Sequence, residues 1–144
     1  MAIPDFADGV NLPPGVHPCT WEEMVIRFCN GGRRQRLCER MQQLFRRASD
    51  CGFVQVIVGG SFPTAKQEPG DFDLAWIVRE GVNKDAMRPE CLELVESDKS
   101  PERFGCDVFY LPFAGDAARI REIATGLFGY DKIGNERGAL LLDL

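Results

Sequence analysis

Val58-Gly59-Gly60-Ser61, nine further residues, and then Asp71-Phe72-Asp73-Leu74 form the stretch on which the reading of this chain turns. The apolar run into Val58 ends in a glycine pair, the pattern of a strand closing into a tight turn. A second strand is expected over 71–79. Alternate residues of a strand point the same way, so Asp71 and Asp73 then present two carboxylates on one face. Pro69-Gly70-Asp71 is also a good turn sequence, and in the alternative the strand starts only at Phe72 with Asp71 in the turn before it. A third acid stands in the apolar run Cys106-Asp107-Val108. It completes the set if its strand lies beside that of Asp73. Aspartate is depleted in strands, and crowded, desolvated carboxylates cost stability unless a cation lies between them. Hard oxygen ligands on a rigid frame are what two divalent ions roughly 3.5–4 Å apart require.

Outward from this stretch the chain alternates between helical and strand patterns. Residues 1–19 read as an extended arm, because Leu12-Pro13-Pro14-Gly15-Val16-His17-Pro18 is too rich in proline for a helix. His17 is read as fixing that arm by a hydrogen bond. Thr20-Trp21-Glu22-Glu23 matches a capping box, so a helix is expected from Thr20 to the Gly31-Gly32 pair. A second helix is expected over 33–49. It carries Leu37, Met41, Leu44, Phe45 and Ala48 as an apolar stripe, with Arg36, Arg40 and Arg47 opposite and Gly52 past its end. Further strands are expected over 53–58, 106–111 and 139–144, a short helix at 90–96 and a longer one over 115–127, with a polar turn at 131–138. Past its acids the strand at 71–79 is apolar on both faces, which marks it as central. The sum is an α/β (α+β) domain with a mixed sheet flanked by helices, spanning residues 20–144 behind the arm.

Composition agrees with one domain of 144 residues, 44% hydrophobic and 27% charged. No apolar run approaches the roughly 20 residues of a membrane span, and the first residues lack the basic start and apolar stretch of a secretory signal, so a cytoplasmic protein is expected. The six cysteines are evenly spread without a Cys-x-x-Cys pair and are read as small buried thiols. His17 and Cys19 lack a second pair of ligands for zinc. A net charge of −5 argues against a protein that coats nucleic acid non-specifically. Seven of the 13 arginines nevertheless fall between Arg27 and Arg47, which makes that helix either a solvated polar face or a contact surface for an acidic partner or an RNA backbone. No aromatic residues interleave with these arginines, so base stacking there is not indicated.

A Gly-Ser turn closing one strand, an Asp-x-Asp opening the next and a third acid on a later strand together resemble the active site of the DNA polymerase beta-like nucleotidyltransferases. Further stretches, Leu12-Pro-Pro-Gly-Val-His17, Arg33-Arg34, Gly60-Ser61-Phe62-Pro63-Thr64-Ala65-Lys66, Pro69-Gly70-Asp71-Phe72-Asp73, Gly105-Cys106-Asp107-Val108 and Gly138-Ala139-Leu140, are similar to a bacterial family of small nucleotidyltransferase-like proteins and cover most of the chain. The chain also resembles the minimal nucleotidyltransferases that accompany helical toxins in toxin–antitoxin and phage-defence loci. The resemblance implies the polymerase beta-like fold. It implies that Gly60 and Ser61 bind nucleotide phosphate and that Asp71, Asp73 and Asp107 handle Mg²⁺ or Mn²⁺. Lys66, in the same loop, reads by default as an ordinary exposed lysine, and in the alternative as a cation that neutralises a triphosphate. Larger members carry extra helical domains that bind base or nucleic acid, and 144 residues leave no space for one.

The function expected is metal-dependent transfer of a nucleotidyl group from an NTP, ATP foremost, to a hydroxyl on a protein partner such as a toxin or on a tRNA 3′ end. Asp107 is both a metal ligand and a candidate general base. The competing expectation, from another class, is a non-catalytic module of the same fold that binds and blocks a partner protein. The intact set of acids favours the enzyme, because such costly carboxylates have no use in a dead site.

Overall fold

A computed structural model describes residues 3–79, 81–96 and 105–144. In chain order the elements are β1 (Val16–Pro18), α1 (Trp21–Phe28), α2 (Gly32–Asp50), β2 (Gln55–Gly59), β3 (Asp73–Ile77), a 3-10 turn (Lys84–Ala86), α3 (Pro89–Val95), β4 (Val108–Leu111), α4 (Ala117–Phe128) and β5 (Ala139–Asp143). The short helix expected at 90–96 is α3, entered through Pro89. Residues 80 and 97–104 lie outside the described residues.

The strands form one mixed sheet in the order β1-β5-β2-β3-β4. β2 pairs antiparallel with both β3 and β5, while β3 with β4 and β1 with β5 are parallel. β3 therefore lies inside the sheet, and its period-2 pattern shows why. Phe72, Leu74 and Trp76 join one core cluster; Ala75 and Ile77 join the other. The first cluster is covered by Met24 and Phe28 of α1, Leu37, Met41 and Phe45 of α2, and Leu94 of α3. The second is covered by Ile120, Ala124 and Phe128 of α4. Helices on both faces of the sheet account for the nearly continuous apolar run from Leu74 to Val78. Trp76 is fully buried, and its indole N–H donates to the Leu94 carbonyl at 2.8 Å, so burial leaves no orphaned donor.

Local signals set the element ends. Thr20 Oγ1 accepts from the Glu23 amide at 3.1 Å, and the Glu23 carboxylate accepts from the Thr20 amide at 2.9 Å, the reciprocal pair that stabilises the start of α1 by about 1 kcal/mol. The arm is part of the domain. β1 is the edge strand beside β5, Leu12 is fully buried, and His17 Nε2 lies 2.7 Å from the Pro13 carbonyl, holding the proline turn as expected.

The cysteine expectation is corrected. Cys29 is bonded to Cys38 and Cys51 to Cys91; Cys19 and Cys106 are the free thiols. The physical reason lies in the turns. Gly31 and Gly32 both take positive φ, which folds α2 back on α1 and brings Cys29, at the end of α1, against the buried face of α2. Cys51 caps α2 where α3 packs beside it. Neither pairing has a sequence spacing that announces it.

Candidate active site

Gly59 pairs with Asp73 at the end of the β2–β3 ladder, so the glycine turn and the Asp-x-Asp segment are neighbours by register. Both glycines are required. A Cβ at Gly59 would run into the ring of Phe128, the last residue of α4. Gly60 has φ +78°, and a Cβ there would lie 2.6 Å from Asp73 Oδ2. The turn is thus set directly against the Asp73 carboxylate.

The loop that follows is held from beneath by two arginines. Arg34 is buried, 7% exposed, and its guanidinium donates to the carbonyls of Phe62 at 2.8 Å, Thr64 at 2.7 Å, and Lys66. It also reaches the Phe28 carbonyl and lies over the Phe28 and Phe62 rings. Arg33 donates to the carbonyls of Pro69 at 2.7 Å and Gly70 at 2.6 Å. The planar fork of arginine suits this role, because it serves several carbonyls at once. Sequence reasoning assigned this pair no contact with the loop. One signal was available: position 34 falls on the same helical stripe as Leu37, Cys38 and Met41, where an arginine needs buried acceptors.

Two strand expectations are corrected at the acids. β3 begins at Asp73, so Asp71 lies in the turn before it, as the alternative reading had it. β4 begins at Val108, and Asp107 is an exposed residue at the strand's mouth rather than an acid inside an apolar strand. In both cases ladder pairing starts where the strands meet, after the turn residues. The three acids still share one end of the sheet. β3 and β4 are parallel, and the Leu74 amide donates to the Asp107 carbonyl at 3.0 Å, which puts Asp73 and Asp107 side by side where the two adjacent strands start.

Electrostatics couples them. Burial raises the Asp73 pKa above the ordinary carboxylate value, and the charges of Asp107 and Asp71 raise it further, against the Asp107 amide and Arg137. Burial also raises that of Asp71, with Asp107 adding to it, while the Phe72 amide, Arg40 and Arg33 oppose the shift. Arg40 sits 3.9 Å from Asp71 and over the Phe72 ring. It is therefore a site neighbour and not, as the helical pattern suggested, a member of a purely solvated face. Arg47 likewise faces a protein group, Glu93 of α3 at 3.1 Å; Arg36 is exposed as expected.

Gly60, Ser61, Lys66, Asp71 and Asp73 line one open cleft of about 660 Å³. That size is within the range of small-ligand sites, about 300–1,000 Å³. The same cleft receives Lys132 and Arg137 from the polar turn before β5, and Val10 from the arm. Asp107 is not among its lining residues. The turn contribution escaped sequence reasoning because a Lys-x-x-x-x-Arg turn looks like any solvated loop until β5 brings it beside β2. The candidate residues fit a divalent cation by the chemistry of their donors, all carboxylate oxygens, two of them disfavoured as anions by their surroundings. Among the described residues no three such groups form a preassembled cage. Mg²⁺ ordinarily takes one or two carboxylates and completes its shell with substrate phosphate and water, so Asp71 and Asp73 would hold it only together with such outside ligands.

A family model matches residues 4–143. The chain belongs to DUF6932, described as a family of unknown function. The match takes in the arm, all five strands and every candidate residue, so the arm belongs with the rest of the domain in the DUF6932 pattern. No curated protein and no solved structure matches the chain. Among the described residues no helix is long and apolar enough to cross a membrane.

Proposed function

We propose that this DUF6932 chain is a nucleotidyltransferase with a polymerase beta-like site, moving NMP from an NTP to an acceptor hydroxyl. The observation that carries the reading is the contact between the Gly60 turn and the Asp73 carboxylate, inside a cleft that also holds Lys66, Lys132 and Arg137. An anion-binding turn, coupled carboxylates and long cationic side chains in one cleft are the parts that phosphoryl transfer uses.

Each part has its own role in this reading. The turn after Gly60 offers backbone N–H groups and the Ser61 hydroxyl to the β- and γ-phosphates. Lys66, Lys132 and Arg137 neutralise the triphosphate. Asp71 and Asp73, with Asp107 beside them, would hold Mg²⁺ or Mn²⁺, which when bound polarises the phosphate oxygens and lowers the pKa of the acceptor hydroxyl. The acceptor oxygen attacks the α-phosphorus and the bond from that phosphorus to the β-phosphate oxygen breaks. Pyrophosphate leaves, and Asp107, the exposed acid of the set, accepts the hydroxyl proton. Arg33 and Arg34 touch no reacting atom; they fix the loop backbone on which Ser61 and Lys66 stand.

Incubation with α-labelled NTPs, Mg²⁺ and cell lysate tests the reading. Label is expected on a protein or on tRNA, and Asp73→Asn should lower it by at least about 10²-fold. Nucleotide binding without transfer to any macromolecule would put the partner-blocking module in place of the enzyme.

A further inference from the structure

We propose that Val10 and Ile133 form an aliphatic clamp for the nucleobase, one that grips any of the four bases by its face and selects among them weakly. The inference rests on the nucleotidyltransferase reading of the same cleft.

Val10 is 50% exposed and Ile133 85% exposed, although both are β-branched aliphatics of the kind that folding normally buries. Both line the cleft that contains Gly60, Ser61 and Asp73. They come from distant parts of the chain, yet they are presented by the same device. In the arm, Asp8 Oδ1 accepts from the amides of Val10 at 2.9 Å and Asn11 at 2.6 Å, and Asp8 Oδ2 accepts from the Asn11 side chain at 3.1 Å. In the turn before β5, Asp131 Oδ1 accepts from the amides of Ile133 at 3.0 Å and Asn135 at 2.9 Å, and Asp131 Oδ2 accepts from the Asn135 side chain at 3.1 Å. Two aspartate-locked turns thus hold two bare aliphatics in place beforehand, which spares the ordering cost that a flexible contact incurs on binding.

The polar inventory of the cleft points the same way. Side chains shaped to read a base edge are committed to the fold: Asn11 to Asp8, Asp131 to its own turn, and Thr64 to the Ser61 carbonyl and the Lys66 amide. The remaining long polar side chains are cations suited to phosphate: Lys66, Lys132 and Arg137, which lines the cleft while its Nε donates to the Phe128 carbonyl at 3.4 Å. Apolar contact is what is left for the base, and such contact discriminates poorly between ligands of similar shape.

The test uses the whole chain with Mg²⁺ and measures dissociation constants for ATP, GTP, CTP, UTP and inorganic tripolyphosphate. The four NTPs should bind within about tenfold of one another, and each should bind more tightly than tripolyphosphate. Val10→Ser and Ile133→Ser should each weaken NTP binding roughly three- to tenfold, the scale of a lost aliphatic contact, and leave tripolyphosphate unchanged. Both positions are exposed, so the thermal midpoint should stay near wild type. A preference above about 100-fold for one base would overturn the clamp, since contact without hydrogen bonds cannot supply it. So would NTPs that bind no better than tripolyphosphate, an outcome that leaves the phosphate site standing. Binding of neither NTP nor tripolyphosphate would remove the nucleotidyltransferase reading and the clamp with it.

Discussion

A Cβ on residue 60 would stand 2.6 Å from Oδ2 of Asp73. The glycine is therefore a joint between the turn and the acid, and it also carries φ +78°. Gly60→Ala should cost about 1–2 kcal/mol from the left-handed backbone alone, with displacement of the Asp73 carboxylate added to it. Urea unfolding gives the sum. NTP binding should weaken in the same variant. A Gly60→Ala protein of wild-type stability and affinity would mean that the turn and the acid are not packed as described.

Asp73→Asn separates charge from shape. Label transfer should fall by at least about 10²-fold, the scale seen when a major electrostatic stabiliser of a transition state is lost. Metal-free stability should move the other way. Burial and the charges of Asp107 and Asp71 hold the folded pKa of Asp73 above its unfolded value. Such an acid stabilises the fold fully below the unfolded pKa, and that contribution is lost as pH rises through the raised folded value. Urea midpoints measured from about pH 4 to pH 7 should therefore shift in favour of the asparagine variant as pH increases. Added Mg²⁺ with NTP should stabilise the wild type and leave Asp73→Asn nearly unmoved.

Arg34 makes the loop expensive to disturb. Its fork serves the carbonyls of Phe62, Thr64 and Lys66 from a buried position. Arg34→Ala should lose about 3 kcal/mol or more, because buried acceptors are left unsatisfied. Arg34→Lys should recover only part of that, since an ammonium cannot serve the same fan of carbonyls. Tripolyphosphate affinity in the lysine variant tells positioning from bulk stability. It should fall under conditions where the variant is fully folded, and unchanged affinity there would reduce Arg34 to a structural residue.

The central strands and the partners of the capping box were legible because each rests on near neighbours: Thr20 with Glu23, or the alternation of Leu74, Ala75, Trp76 and Ile77. The convergence of Gly60 with Asp73 was legible for a similar reason, since a strand, a turn and a pairing strand leave few registers. What could not be read depends on contacts made across the fold. Arg34 meets the Thr64 carbonyl, 30 residues away. Arg137 and Ile133 reach the cleft only through the placement of β5 between β1 and β2. The two disulfides depend on how Gly31-Gly32 and the end of α2 turn the chain. Asp71 and Asp107 were assigned to strands because propensity does not mark the residue at which ladder pairing begins.

Reduction should show the disulfides acting unequally. Cys29–Cys38 spans a separation of 9 residues and Cys51–Cys91 one of 40. On the chain-entropy account these contribute about 2.5 and about 4 kcal/mol. Treatment with dithiothreitol should lower the thermal midpoint, and Cys51→Ala with Cys91→Ala should lower it more than Cys29→Ala with Cys38→Ala. Binding should rank the other way. Cys29 and Cys38 bracket Arg33 and Arg34, so loss of that bond should weaken tripolyphosphate binding more than loss of the longer-range one. Equal effects on binding would disconnect the α1–α2 junction from the loop.

The arginine helix is best tested one residue at a time. Arg36 is exposed, so Arg36→Glu should change stability by no more than about 0.5 kcal/mol. Arg40 is different, because it stands 3.9 Å from Asp71 and covers the Phe72 ring. Arg40→Glu would set a further carboxylate against Asp71, raise its pKa and strain the metal-free site. Mg²⁺ should then stabilise Arg40→Glu more than it stabilises the wild type, as the cation offsets the added repulsion. Retention of a labelled acceptor is the separate readout. If the exposed face of α2 holds an acidic partner or an RNA backbone, Arg36→Glu should release that acceptor without altering NTP affinity. Acceptor capture that survives Arg36→Glu unchanged, at low salt as well as high, would return that face to solvent. The helix would then serve the site by holding the loop through Arg33 and Arg34 and by setting Arg40 beside Asp71.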